Sequence, residues 1–125
     1  MNHINTSGPS VFAKPLRLAP DRLKIAKMEF QHMLDLGHMR PSNSNYASPL
    51  HLVPKKGSDD LRSVGDFRAL NIQTKRDKYP FSSVLNFNSE FHGTQIFSYV
   101  DLVKAFHQIP IAPEDAHKTV ICTSF

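Results

Sequence analysis

At 125 residues and 14.1 kDa, the chain has room for one domain of ordinary size and not for two. A content of 40% hydrophobic residues, 21% charged residues and five glycines excludes a disordered chain, and no run of eighteen apolar residues is present to form a transmembrane helix. The net charge is +4, a lone Cys122 rules out an internal disulfide framework, and the opening MNHINTSGPS lacks the basic and apolar regions of a signal peptide.

Residues 1–20 hold Pro9, Pro15 and Pro20 and show no helical or strand period, so they read as a linker or arm outside the core. The segment DRLKIAKMEFQHMLDLG places Leu23, Ala26, Phe30, Met33 and Leu34 on one helical face. That spacing predicts a helix over 21–36, with Asp21 as its cap and Gly37 as its stop. A polar loop between Pro41 and Pro49 leads to two short runs, 50–56 and 61–67, parted by GSDD. Two strands around a glycine-containing tight loop make a hairpin, and Pro54 puts its strand at an edge or a bulge. The stretch 72–82 reads as loop, and a short helix is expected near 83–91. IFSYV (96–100) is a β-rich run ending at Asp101, and HQIPI and KTVICTSF read as further extended segments. The pattern α-β-β-α-β-β predicts an α+β domain, and the β-like run that closes KTVICTSF suggests a strand cut in mid-sequence.

Charge is unevenly distributed. Residues 1–80 carry thirteen Lys/Arg against seven acids, whereas residues 81–125 carry Lys104 and Lys118 against Glu90, Asp101, Glu114 and Asp115. A basic front half followed by isolated carboxylates suits a polyanion-binding surface beside a metal-binding acid. A hairpin turn centred between Ser58 and Asp59 sets Lys55 opposite Arg62 and Lys56 opposite Leu61. Cations facing each other across a sheet repel unless an anion bridges them, and a triphosphate is a suitable bridge. The competing reading is a pair of solvated charges with Asp59 and Asp60 as counter-ions. Asp101, directly after a β-rich run, can hold Mg²⁺ beside a free backbone carbonyl, or can merely cap the turn. His107 has no second His or Cys at ligand spacing and reads as a structural histidine.

ASPLHLVPKK, then LRSVGDFRALN, then FSYVDLVKAFHQIPIAPEDAHKT, closely resemble the N-terminal part of the reverse transcriptases of gypsy-type LTR retrotransposons, over roughly residues 14–125. The resemblance implies a partial right-hand polymerase, with fingers and an incomplete palm. Residues 1–20 would be the arm preceding the polymerase, 21–78 the fingers, 79–108 the start of the palm, and 109–125 a truncated return to the fingers. Lys55 (or Lys56) and Arg62 match the fingertip cations that hold the triphosphate of an incoming nucleotide. Asp66 and Arg68 match the second fingers strand, with Arg68 more structural than catalytic. Asp101 matches the first catalytic aspartate, which binds Mg²⁺ (or Mn²⁺) together with the Leu102 carbonyl. Lys104 and Ala105 match positions whose backbone lies along the nucleotide, and Phe106 matches the aromatic gate that excludes a 2′-hydroxyl.

The implied partners are an RNA/DNA template-primer, a deoxynucleoside triphosphate and the rest of a Pol polyprotein: remaining palm, thumb, RNase H and integrase. No membrane partner is implied, and the expected location is intracellular and cytoplasmic, in virus-like particles. The Tyr-X-Asp-Asp hairpin that supplies the family's other two metal-binding carboxylates is not among these 125 residues. One carboxylate cannot hold two Mg²⁺ ions about 4 Å apart, so the chain by itself is expected not to polymerise. The alternative is an inert remnant, or a basic module that binds nucleic acid without sequence preference.

Overall fold

The computed structural model describes residues 1–78, 83–103 and 105–125. In chain order these form α1 (Pro20–Asp35), β1 (Ser48–Pro54), β2 (Leu61–Gly65), α2 (Arg68–Gln73), α3 (Val84–Glu90), single 3₁₀ turns at Ala105–Gln108 and Ala116–Thr119, and β3 (Ile121–Cys122). The three strands make one mixed sheet in the order β2-β1-β3. β1 is antiparallel to β2 and parallel to β3. The chain is therefore a small α+β protein. No helix among the described residues is long and apolar enough to cross a membrane.

The residues divide into two units, one comprising Met1–Lys75 with Ile109–Phe125 and the other Arg76–Gln108. In the larger unit α1 starts one residue before the expected position. Asp21 sits in the first turn and Ala19 takes the cap position, because Pro20 at the first helical residue needs no amide partner and already holds a helical φ. At the other end Gly37, at φ 70°, donates its N–H to the Leu34 carbonyl while the His38 N–H reaches back to Met33, the paired bonds that close a helix. Ala26 and Met33 are buried and Leu23 and Phe30 half-buried, but Leu34 on the expected apolar face is exposed. α1 packs on β2, where the Glu29 carboxylate accepts the Ser63 N–H at 3.0 Å.

The backbone bonding explains Pro54. The Lys55 N–H donates to Asp60 and the Asp66 N–H to Pro49, so odd-numbered β1 residues bond β2 and even-numbered ones point the other way, as Ser48 does toward Val120. Pro54 therefore lacks an N–H only on the side where β3 no longer pairs, which is the edge position expected of it. Opposite Leu50 lies Gly65, where an added Cβ would come within 2.7 Å of the Phe67 ring and 3.0 Å of the Ile121 methyl. That close approach joins β1, β2 and β3 around Leu50, which is 3% exposed. Leu50→Ala should lower stability by about 2–4 kcal/mol, read as a lower denaturant midpoint with unchanged slope.

Two expectations change in this unit and its continuation. Residues 68–73 form α2, where no element was expected over 68–71 and loop was expected from 72. Asp66 turns the chain by accepting the Arg68 N–H at 3.2 Å, and the Leu70 side chain is buried. Of the extended segments after Asp101, His107–Gln108 and Lys118–Thr119 lie in 3₁₀ turns, and Ile121–Cys122 alone forms a strand. Within the larger unit residues 1–20 form an arm with no buried residue, as expected, tied down by single bridges of Asn2 to Ile111, Thr6 to Thr74 and Phe12 to Ala47. The Cys122 thiol donates to the Ala13 and Ser48 carbonyls, and burial pushes its pKa up.

The smaller unit holds α3, a turn at Phe91–Thr94 and a run without regular secondary structure. Ser83 caps α3 by accepting the Asn86 N–H at 3.2 Å, close to the expected 83–91. The run 96–100 forms no strand: among the described residues nothing pairs with it, and β-rich composition makes a strand only where a ladder partner satisfies the backbone. No described side chain of 76–108 is buried, and Ile96, Tyr99, Val100 and Val103 are all more than three-quarters exposed. The end of the loop expected over 72–82 lies outside the described residues.

Candidate functional site

The first candidate cluster is the β1–β2 hairpin tip. The loop is Lys56-Gly57-Ser58-Asp59, with Gly57 at φ 82° and the Ser58 N–H donating to the Lys55 carbonyl. Arg62 stands opposite Val53, and Lys55 is opposite Asp60. The expected register, Lys55 against Arg62 and Lys56 against Leu61, is thus two residues off. Because side chains alternate with a period of two, this shift keeps Lys55 and Arg62 on one face but makes them diagonal neighbours. Lys56 falls in the loop. The direct cation–cation repulsion is absent, and Lys55 instead sits 4.0 Å from the Asp60 carboxylate. Both of those side chains are exposed, so the pair is weak and leaves the ammonium free to exchange partners.

Below the tip, Asp66 accepts two bonds from the Arg68 guanidinium, at 2.8 and 2.6 Å, while His51 Nε2 lies 3.5 Å away. The Arg68 side chain and its amide hold the Asp66 carboxyl well below the usual carboxylate range. Asp66 in turn raises the Arg68 pKa. Arg68 is thereby committed to the β2–α2 corner. A depressed carboxylate stabilises the fold fully above the unfolded value of ~3.9 and progressively less as pH falls below it. Thermal midpoints scanned from about pH 7 to about pH 3 should fall at the acid end, with a shallower fall for Asp66→Asn. Parallel curves would remove this role.

The second cluster lies in the smaller unit. Asp101 and Leu102 follow each other in an exposed segment without regular secondary structure. Ala105 and Phe106 share the 3₁₀ turn, and the Phe106 ring is 69% exposed, with its centroid 4.1 Å from that of His107. Gln108 steadies the turn by donating to the Val103 carbonyl at 2.8 Å. Lys104 lies outside the described residues.

Asp101 and the Leu102 carbonyl are hard oxygen donors, the kind Mg²⁺ takes, but they are two where it needs six. Among the described residues, no three His, Cys, Asp or Glu side chains converge to hold a metal ion. The donor set fits magnesium in kind and needs completion by phosphate, water and further carboxylates.

One feature escaped the sequence reading. Asp115 is buried and pairs with Lys118 at 2.6 Å. The i,i+3 spacing of opposite charges was a visible signal, but only burial distinguishes this pair from a surface one.

No protein-family model matches the chain. It is 36% identical over 125 residues to the retrovirus-related Pol polyprotein from transposon 297 of Drosophila melanogaster, covering 96% of this chain and 12% of that polyprotein. It is 38% identical over 96 residues to the Pol polyprotein from transposon gypsy of the same organism, covering 73% and 9%. A transposon Tf2-3 polyprotein of Schizosaccharomyces pombe is 33% identical over 101 residues, covering 81% and 8%. The chain thus spans 8–12% of the length of these relatives. Across almost all of its own length, it is homologous to one stretch of the Pol polyproteins of retrovirus-like transposons.

Proposed function

We propose that this chain is the fingers and the start of the palm of an RNA-directed DNA polymerase that works as part of a longer Pol polyprotein. The observation that carries the reading is the match to a Pol polyprotein over 96% of the chain. The separation of residues 76–108 from the rest supports a palm beginning there, with 109–125 returning to the fingers.

In this reading Lys55 (or Lys56) and Arg62 grip the triphosphate of the incoming deoxynucleotide. The guanidinium bonds phosphate oxygens bidentately, and the ammonium adds a mobile charge. The backbone at Lys104 and Ala105 lies along the nucleotide, and the Phe106 ring fills the space of a 2′-hydroxyl. Asp101 and the Leu102 carbonyl hold Mg²⁺, with Mn²⁺ as the alternative ion. When bound with the remaining carboxylates, the ion neutralises charge developing during phosphoryl transfer. The template-primer and the rest of Pol are the implied partners.

The test is a chimera in which these 125 residues replace the matching stretch of the transposon 297 polyprotein, assayed for primer extension on an RNA template. Extension comparable to the unaltered polyprotein supports the reading. A folded but inactive chimera beside an active parent overturns it.

The chain by itself supplies one carboxylate of the metal site and is expected to bind without catalysis. Its thirteen Lys/Arg against seven acids in residues 1–80 favour weak, sequence-independent affinity for RNA or DNA. Fluorescence anisotropy should show binding at low salt that falls steeply as salt rises. Salt-independent binding, or none at low salt, would count against it.

A further inference from the structure

The first thirteen residues do more than cover a surface. The Asn2 N–H donates to the Pro110 carbonyl at 3.1 Å, and its own carbonyl accepts the Ala112 N–H at 2.9 Å. The Asn5 carbonyl accepts the Lys75 N–H at 2.7 Å, and the Ser7 N–H donates to Gln73 at 3.0 Å. Further along, Val11 and Ala13 both bond Ala47. Residues 75 and 109 are where the chain leaves and re-enters the larger unit. The arm therefore ties together both ends of the excursion through 76–108, using backbone bonds within the larger unit alone.

Between these two attachments the arm is gripped by one ion pair, of a buried Asp115 and a half-buried Lys118. Asp115 accepts the Ile4 N–H at 3.1 Å and lies 3.2 Å from His3 Nδ1, while Lys118 Nζ bonds Asp115 and the Ile4 carbonyl, each at 2.6 Å. Both polar groups of the Ile4 backbone are thus held by the two halves of a single pair. The Lys118 hydrogen bond holds the Asp115 carboxyl below its ordinary range, with the Ile4 amide acting in the same direction. Removing either partner leaves the other charge, largely shielded from water, unpaired.

We propose that residues 2–7 are a strap whose buckle is the Asp115–Lys118 pair, and that the strap docks and releases as one piece, fixing both connections to the 76–108 segment together. This holds independently of the polymerase reading, since every contact belongs to the chain itself.

Residue-resolved amide exchange on the 125-residue chain tests it. In Asp115→Asn and in Lys118→Met, the amides of Lys75 and Ala112 should exchange at least about tenfold faster together, with those of Lys55 and Asp66 in the β1–β2 hairpin unchanged. Acceleration at Ile4 alone would show a local contact without a strap. Acceleration of every amide would show a core pair whose loss unfolds the unit. Either result overturns the proposal. Ser7→Pro, which deletes a strap donor without touching the buckle, checks the coupling from the other end. The Ala112 amide should accelerate there too, and an unchanged rate would again sink the idea.

Discussion

Asp101→Asn, introduced into the Pol chimera carrying this chain, is expected to lower the rate of primer extension by on the order of a hundred- to a thousandfold. The substitution keeps size and shape and removes one negative charge. Asp101 is exposed, so no packing depends on it and the folded fraction should be unchanged. In the proposed role, loss of rate then reports loss of charge at the reacting centre. Nucleic-acid affinity should hold, because a carboxylate repels the phosphate backbone. Arg62→Ala is expected to behave differently: in the proposed role it loses a charge-assisted bidentate contact to phosphate, so the apparent KM for nucleotide should rise as turnover falls. Rates measured across nucleotide concentrations separate the two. Near-parental turnover for Asp101→Asn would end its assignment as catalytic.

The hairpin that carries Arg62 was legible because two apolar runs flank a short polar loop containing glycine. Its register was not. Centring the turn on Ser58 and Asp59 ignored Gly57, the residue that takes the left-handed conformation, and so displaced the pairing by two residues. Face survived that error because alternation has a period of two, which is why the Lys55–Arg62 association persists as a diagonal. α1 could be read from its 3.6-residue spacing, whereas the six residues of α2 are too few to show a period, and the Asp66 turn that starts it resembles a strand end. The strand expected at 96–100 failed for another reason: strand propensity is conditional on a partner. The attachments of the arm were not legible, because they are single bridges to residues 35 to 109 positions away, which local pattern cannot reveal.

The exposure of Phe106 makes the second large effect unusually clean to measure. Its ring is 69% exposed and touches His107, so truncation to Val removes little packing from the fold. In the chimera, Phe106→Val should raise ribonucleotide incorporation relative to deoxynucleotide incorporation by orders of magnitude. A lost packing contact or a missing methylene changes discrimination by roughly 10–200-fold at most, whereas removal of a steric block admits a substrate that previously did not fit. The appropriate measurement is the ratio of kcat/KM values for matched ribo- and deoxynucleotides, because a general loss of activity cancels in that ratio. Phe106→Tyr, which retains the ring, should retain the selectivity and so separates ring volume from chain fold. If the ratio stays put in Phe106→Val while both rates fall, the ring supports the 3₁₀ turn at Ala105–Gln108 and does not face the sugar.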